Sequence, residues 1–198
     1  TFDAVLYATG RKANTANIGL EHTDIVTNER GAIVVNDTCE SSVPGVYAVG
    51  DVNGGPQFTY VSLDDFRIVF GTLTGNSQYT LKDRKNIPYT TFLTPPLSRV
   101  GLTEEDAINQ GYTVKTKEML VATMPRAHVN DYLKGAFKIV VDADNDLILG
   151  ATLYSQGAEE LINLIKMAMD NNIPYTYFKN QIFTHPTMAE NLNDLCNF

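Results

Sequence analysis

Cysteine is scarce: Cys39 and Cys196 stand alone, with no C-x-x-C pair and no His-rich companion. That excludes a disulfide framework and a thiolate zinc site, and it points to a reducing cytoplasm. Basic charge is also short, with 15 Lys and Arg against 23 Asp and Glu for a net charge of −8. No basic cluster offsets the deficit locally, which argues against a nucleic-acid or anionic-membrane partner. Apolar runs are brief and punctuated by Gly, Thr or Asp, far short of the roughly 20 residues that a membrane-spanning helix needs. Missing too are the G-x-S-x-G elbow, the phosphate-binding G-x-x-x-x-G-K-[ST] loop and the G-x-G-x-x-G turn, so esterase and P-loop chemistry have no support. Asp142, Asp144 and Asp146 open like a calcium loop, but Leu147 stands where glycine is required and Leu153 where a bidentate glutamate is required. The stretch reads as a polar turn, and no metal site is expected.

What is present is a chain of 198 residues with 43% hydrophobic and 10% aromatic content, enough to bury a sizeable core in one or two domains. Thr1 opens straight onto the apolar run 2–8, which reads as a chain cut inside a domain. Residues 4–8 look like a strand buried on both faces, 32–35 like a short strand, and 43–49 like a second buried strand ending at Gly50-Asp51. Ligands of open α/β sheets bind beyond the carboxyl ends of strands, which is where Asp51 falls. A helix is expected over 62–73, although its apolar stripe is untidy. Four charges in the five residues 82–86 mark a boundary, giving domains over 1–85 and 86–198.

Beyond that boundary the signals are cleaner. A strand is expected over 89–93, then a Pro95-Pro96 break and a short helix begun by Thr103, with Asp106 three residues on and Gly111 closing it. Strands follow near 114–121, and a hairpin joins 137–141 to 147–153 around the turn 142–146. An amphipathic helix spans 158–170, with Leu161, Ile162, Leu164, Ile165, Ala168 and Met169 on one stripe. Antiparallel strands with segregated helices make this half α+β.

Thr184-His185-Pro186-Thr187-Met188-Ala189-Glu190 invites two readings. Pro186 biases the backbone of His185 away from the helical region, so the imidazole stands outside a last short helix begun by Thr187, with Glu190 third in it. One reading is a site; the other is a capping box between Thr187 and Glu190, with His185 an ordinary loop residue. Spacing alone favours the cap.

Four blocks then bear on the question together: 8–15 (Ala-Thr-Gly-Arg-Lys-Ala-Asn-Thr), 43–51 (Val-Pro-Gly-Val-Tyr-Ala-Val-Gly-Asp), 95–104 (Pro-Pro-Leu-Ser-Arg-Val-Gly-Leu-Thr-Glu) and His185-Pro186-Thr187 with Glu190. In order and spacing the chain resembles the pyridine nucleotide-disulfide oxidoreductases, the family of glutathione reductase, dihydrolipoamide dehydrogenase and mercuric reductase. The resemblance implies an α+β dimerisation domain, an antiparallel sheet with helices, preceded by the closing part of an α/β FAD-binding domain. It implies a homodimeric enzyme that moves electrons from NAD(P)H to FAD, to a redox disulfide, and on to a small disulfide or oxidant substrate.

Residue by residue, Asp51 matches the carboxylate that holds the ribityl hydroxyls. Gln57, Phe58, Thr59 and Tyr60 match the loop and helix start whose backbone nears the flavin, and Gly10 matches the glycine that lets the nicotinamide nucleotide approach. His185 matches the acid/base residue that reaches the partner subunit's site, and Glu190 the carboxylate that orients it; imidazole as a side-chain type titrates near neutrality. The cap stays open for Glu190. The resemblance also implies cis bonds at Thr94-Pro95 and His185-Pro186. Cys39 and Cys196 are expected to be packing and incidental thiols. Within the family the run 54–65 looks most like the bacterial flavoproteins of reactive-chlorine and hypothiocyanite defence, with dihydrolipoamide dehydrogenase the alternative. A non-catalytic dimerisation module is the reading from another class. The dimer is expected through 88–198, using the wide stripe of helix 158–170. The 198 residues alone are expected neither to hold FAD tightly nor to turn over, and strand 4–8 is expected to lack its native neighbours and be either poorly ordered or paired with another chain.

Overall fold

The computed structural model describes residues 2–198, and the chain divides into two compact units, Thr1–Arg84 and Lys85–Phe198. In the second unit, β1 (Tyr89–Thr91), β2 (Leu97–Gly101), β3 (Val114–Leu120), β4 (Ala136–Asp142) and β5 (Ile148–Tyr154) form one antiparallel sheet in the order β1-β2-β5-β4-β3. The alternating residues of the central strands fill its core. Phe137 and Ile139 of β4 sit opposite Leu153 and Ala151 of β5, and all four are buried.

Helix α4 (Ala158–Asp170) lies on β2 and β5 through Leu161, Ile162, Ile165, Ala168 and Met169. This corrects one expectation. The stripe assigned to a dimer contact is consumed by the unit's own sheet, and of the helix's large apolar side chains only Leu164 and Met167 remain exposed. Helix α2 (Glu104–Asn109) has the expected start: Thr103 Oγ1 accepts from the Asp106 N–H at 3.0 Å, and the Asp106 carboxylate returns the contact. Helices α3 (Pro125–Val129), α5 (Tyr175–Asn180) and α6 (Asn191–Leu195) complete the unit, with Leu192, Leu195 and Cys196 reaching into the core.

Strand β2 lies where sequence reasoning sees only a break. Within it Ser98 is fully buried, because its hydroxyl meets Thr90 Oγ1 of β1 at 2.8 Å. The calcium-like triplet is a turn: Asp142 accepts from the Asp144 N–H and the Asn145 amide, which hold its carboxyl below the usual range, the side-chain contact most strongly. Both Thr94-Pro95 and His185-Pro186 are cis.

The first unit carries helix α1 (Thr59–Leu73), which begins three residues earlier than expected, and short 3-10 turns at Leu20–His22, Gly50–Asn53 and Leu81–Asp83. The strands expected over 32–35 and 43–49 do not form, and 4–8, expected to lack its native neighbours in this chain, is unpaired. Residues 32–35 and 43–49 contribute one isolated bridge each, Thr27–Ile33 and Glu40–Tyr47. Val5, Leu6 and Tyr7 are more than two-thirds exposed. A continuous apolar run becomes a buried strand only when other strands supply its ladder, and none pairs with 4–8 among the described residues. No helix among the described residues is long and apolar enough to cross a membrane.

Candidate functional site

In the second unit the structure brings His185 and Glu190 together. Glu190 Oε2 lies 2.9 Å from His185 Nδ1, with the imidazole 72% exposed and the carboxylate 15% exposed. The Glu190 side chain therefore faces the imidazole. Thr187 Oγ1 accepts from the Glu190 N–H at 3.2 Å and donates to the Thr184 carbonyl at 2.8 Å. That is half of a capping box, because the Glu190 side chain turns to the imidazole and not back to the Thr187 N–H. The expected helix start also moves: residues 188–190 form a bend and turn, and α6 begins at Asn191.

Two amides of α6 escaped sequence reasoning. Asn193 Nδ2 donates to the carbonyls of Phe178, Lys179 and Gln181, and Asn191 Nδ2 to those of Thr187 and Met188. They close the C-terminal end of α5 and the segment after His185. No periodicity or spacing marks an asparagine for such a role; only its short amide reaching several backbone carbonyls does.

In the first unit, Asp51 sits in the 3-10 turn Gly50–Asn53, its carboxylate 56% exposed and 3.7 Å from Arg11 Nη1. An ion pair this exposed holds its partners weakly. Gly50 has φ +73° and no room for a side chain, since a Cβ would lie 2.7 Å from Ser62 Oγ of α1. Gln57, Phe58, Thr59 and Tyr60 run exposed into the start of α1, which no side chain caps. The first N–H groups of an α-helix lack intrahelical acceptors and carry its positive dipole end. Gly10 has φ +103° with open space around it, so conformation and not crowding requires glycine there.

Behind the Asp51 turn lies a buried acid. Asp65 of α1 is 1% exposed; its Oδ2 accepts from the Gly50 N–H at 2.7 Å and from Asn53 Nδ2 at 2.9 Å. Its Oδ1 pairs with Arg84 Nη2, while Arg84 Nε donates to Asp64 Oδ2 at 2.7 Å. Burial disfavours the Arg84 charge, but its hydrogen bonds to Asp65 and Asp64 outweigh that and hold its pKa above the ordinary arginine value. Both cysteines are buried free thiols. Burial pushes Cys39 up to about 11 and Cys196 up to about 12, which makes them poor nucleophiles.

The pyridine nucleotide-disulphide oxidoreductase dimerisation domain matches residues 87–196, and the pyridine nucleotide-disulphide oxidoreductase domain matches residues 1–65. The probable pyridine nucleotide-disulfide oxidoreductase RclA of Escherichia coli K12 is 48% identical over 193 residues, covering 98% of this chain and 44% of that protein. The mercuric reductase of Staphylococcus aureus is 35% identical, covering 96% of this chain and 35% of that one. A solved structure, the HOCl-induced flavoprotein disulfide reductase RclA from Escherichia coli, superposes with a TM-score of 0.92 at 46% identity, covering 96% of this chain and 43% of that one. The chain thus spans less than half the length of these relatives. With a dimerisation-domain match over more than half its residues, the chain belongs to the pyridine nucleotide-disulfide oxidoreductase family.

Proposed function

We propose that this chain is the C-terminal portion of a FAD-dependent enzyme that, as an intact homodimer, passes electrons from NAD(P)H through FAD and a redox disulfide to a low-molecular-weight disulfide or oxidant. The observation that carries the reading is the His185–Glu190 pair. A carboxylate 2.9 Å from Nδ1 calls for the proton on that nitrogen, which leaves Nε2 to take a proton from a thiol or return one. The exposure of the ring keeps Nε2 open to a reacting group from outside the unit.

The first unit fits a flavin by the chemistry of its donors and acceptors. The Asp51 carboxylate offers acceptor oxygens to a polyol, and the uncapped start of α1 offers N–H groups and a positive dipole end to developing negative charge. FAD, when bound, supplies the hydride acceptor and the two-electron relay. Gly10, by its backbone conformation, leaves the approach of NAD(P)H unobstructed on that side.

A homodimer through the second unit is favoured by the matched dimerisation domain and by apolar side chains left uncovered there: Ile182 is 95% exposed and Phe92 is 80% exposed. Obligate interfaces of this kind bury more than about 2,000 Å² in total, and sedimentation showing a concentration-independent monomer of the intact enzyme would remove the claim. The free thiols suit a cytoplasmic setting. The RclA relative is described as HOCl-induced, and an oxidant-linked substrate is the corresponding reading for this protein.

Stopped-flow kinetics of the intact enzyme tests the assignment. In His185→Ala, reduction by NAD(P)H stays within about two-fold while oxidation by the disulfide substrate slows by about 10²-fold or more. Equal slowing of both halves would show that His185 is a structural residue.

A further inference from the structure

The Asp51 side chain is not what fixes its own position. More than half exposed, with a loose ion pair to Arg11, it goes where its 3-10 turn puts it. Both ends of that turn are held by one atom. Asp65 Oδ2 takes the Gly50 N–H at 2.7 Å and the Asn53 amide at 2.9 Å. Asn53 continues the brace outward, since its Oδ1 accepts from the Gly55 N–H at 3.0 Å at the head of the loop leading to 57–60.

A carboxylate that is 1% exposed must have its charge met, and the other oxygen finds it in Arg84, whose side chain is 11% exposed. Arg84 is fixed in turn by Asp64, whose carboxylate also accepts from the Tyr79 hydroxyl at 3.4 Å. A planar guanidinium serving two neighbouring carboxylates on one helix is a geometry that lysine cannot reproduce. We infer that Asp65, braced by Arg84, is the positioning residue that sets the Asp51 turn against helix α1, so that flavin affinity depends on an ion pair that does not touch flavin. The inference rests on the reading of Asp51 as a flavin ligand.

Titration of the full-length apoprotein with FAD, followed by flavin fluorescence, tests it in Asp51→Ala, Asp65→Asn, the double variant and Asn53→Ala. The amide introduced by Asp65→Asn must turn its NH₂ either to the Gly50 N–H or to the Arg84 guanidinium, donor against donor in both cases. Asp65→Asn is expected to raise the FAD Kd at least about ten-fold, and Asn53→Ala about three-fold. In the Asp51→Ala background Asp65→Asn adds less than about two-fold, because its effect runs through Asp51; a merely structural role would add in full. Full additivity, or an unchanged Kd in Asp65→Asn, overturns the inference. Should Asp65→Asn fail to fold, an unchanged Kd in Asn53→Ala overturns it equally. An unchanged Kd in Asp51→Ala removes the flavin reading of Asp51 and this inference with it, whereas weakening in Asp51→Ala alone removes only the inference.

Discussion

Glu190 presents its carboxylate to His185 Nδ1 at 2.9 Å, while Thr187 takes the Glu190 backbone N–H. The glutamate side chain is thus free of the cap that its position in the sequence suggests. The substitution Glu190→Gln keeps an acceptor for the ring N–H but removes the carboxylate charge and its second equivalent oxygen. In the intact enzyme the disulfide half-reaction should slow about ten-fold, a part of the roughly 10²–10⁴ that a placed acid/base supplies, with flavin reduction unchanged. Rapid-mixing traces of the two halves read this directly.

Thr187→Val preserves shape and deletes the hydroxyl that joins Thr184 to Glu190. Losing the hydrogen bonds of this turn costs about 1 kcal/mol, so the melting temperature of the second unit should drop by about 4 °C, with Thr187→Ser close to the parent. Calorimetry on the three proteins provides the comparison.

Glycine positions separate by what a methyl group would strike. At Gly150 a Cβ would lie 2.1 Å from the Leu102 carbonyl oxygen and 2.7 Å from the Leu102 nitrogen, backbone atoms that cannot swing aside. Gly150→Ala should therefore destabilise by more than about 3 kcal/mol. At Gly71 in α1 the nearest atom is 3.4 Å away, and Gly71→Ala should be neutral or stabilise by up to about 1 kcal/mol. Denaturant midpoints of the pair test the contrast.

The thiols give a pH signature. Burial raises Cys196 from 9.0 to about 12 and Cys39 from 9.0 to about 11. Below the unfolded value both states keep the proton and nothing changes. Above it the unfolded chain ionises first, so stability falls as pH climbs from 9.0 through about 11 and about 12. Cys196→Ala and Cys39→Ala should flatten that alkaline loss, and maleimide should label neither thiol at neutral pH unless the protein is unfolded.

Where periodicity or a cap decides structure, the sequence already carries it. Helix α4 follows from a 3.6-residue stripe, and α2 from Thr103 with Asp106. What escapes is structure decided by a partner distant along the chain. Ser98 is buried because Thr90 meets it, and Asp65 because Arg84 does; neither partner is visible from local pattern. The untidy stripe of α1 has that cause: its buried face is Val61, Asp65 and Ile68, while Phe66 and Phe70 face outward. The apolar run 43–49 misled for the converse reason, since it gains only the isolated bridge Glu40–Tyr47 and no strand ladder. His185 and Glu190 could be found by their spacing, but the direction of the Glu190 side chain could not, because cap and imidazole compete for the same carboxylate.

The amides of Asn191 and Asn193 tie down the backbone on both sides of His185, through Thr187 and Met188 on one side and through Phe178, Lys179 and Gln181 on the other. The freedom that this segment gives up is therefore given up once, when the unit folds, and not again at every encounter with substrate. In the proposed acid/base role, an imidazole whose backbone is tied on both sides would begin each proton transfer with less of an orientational search to make.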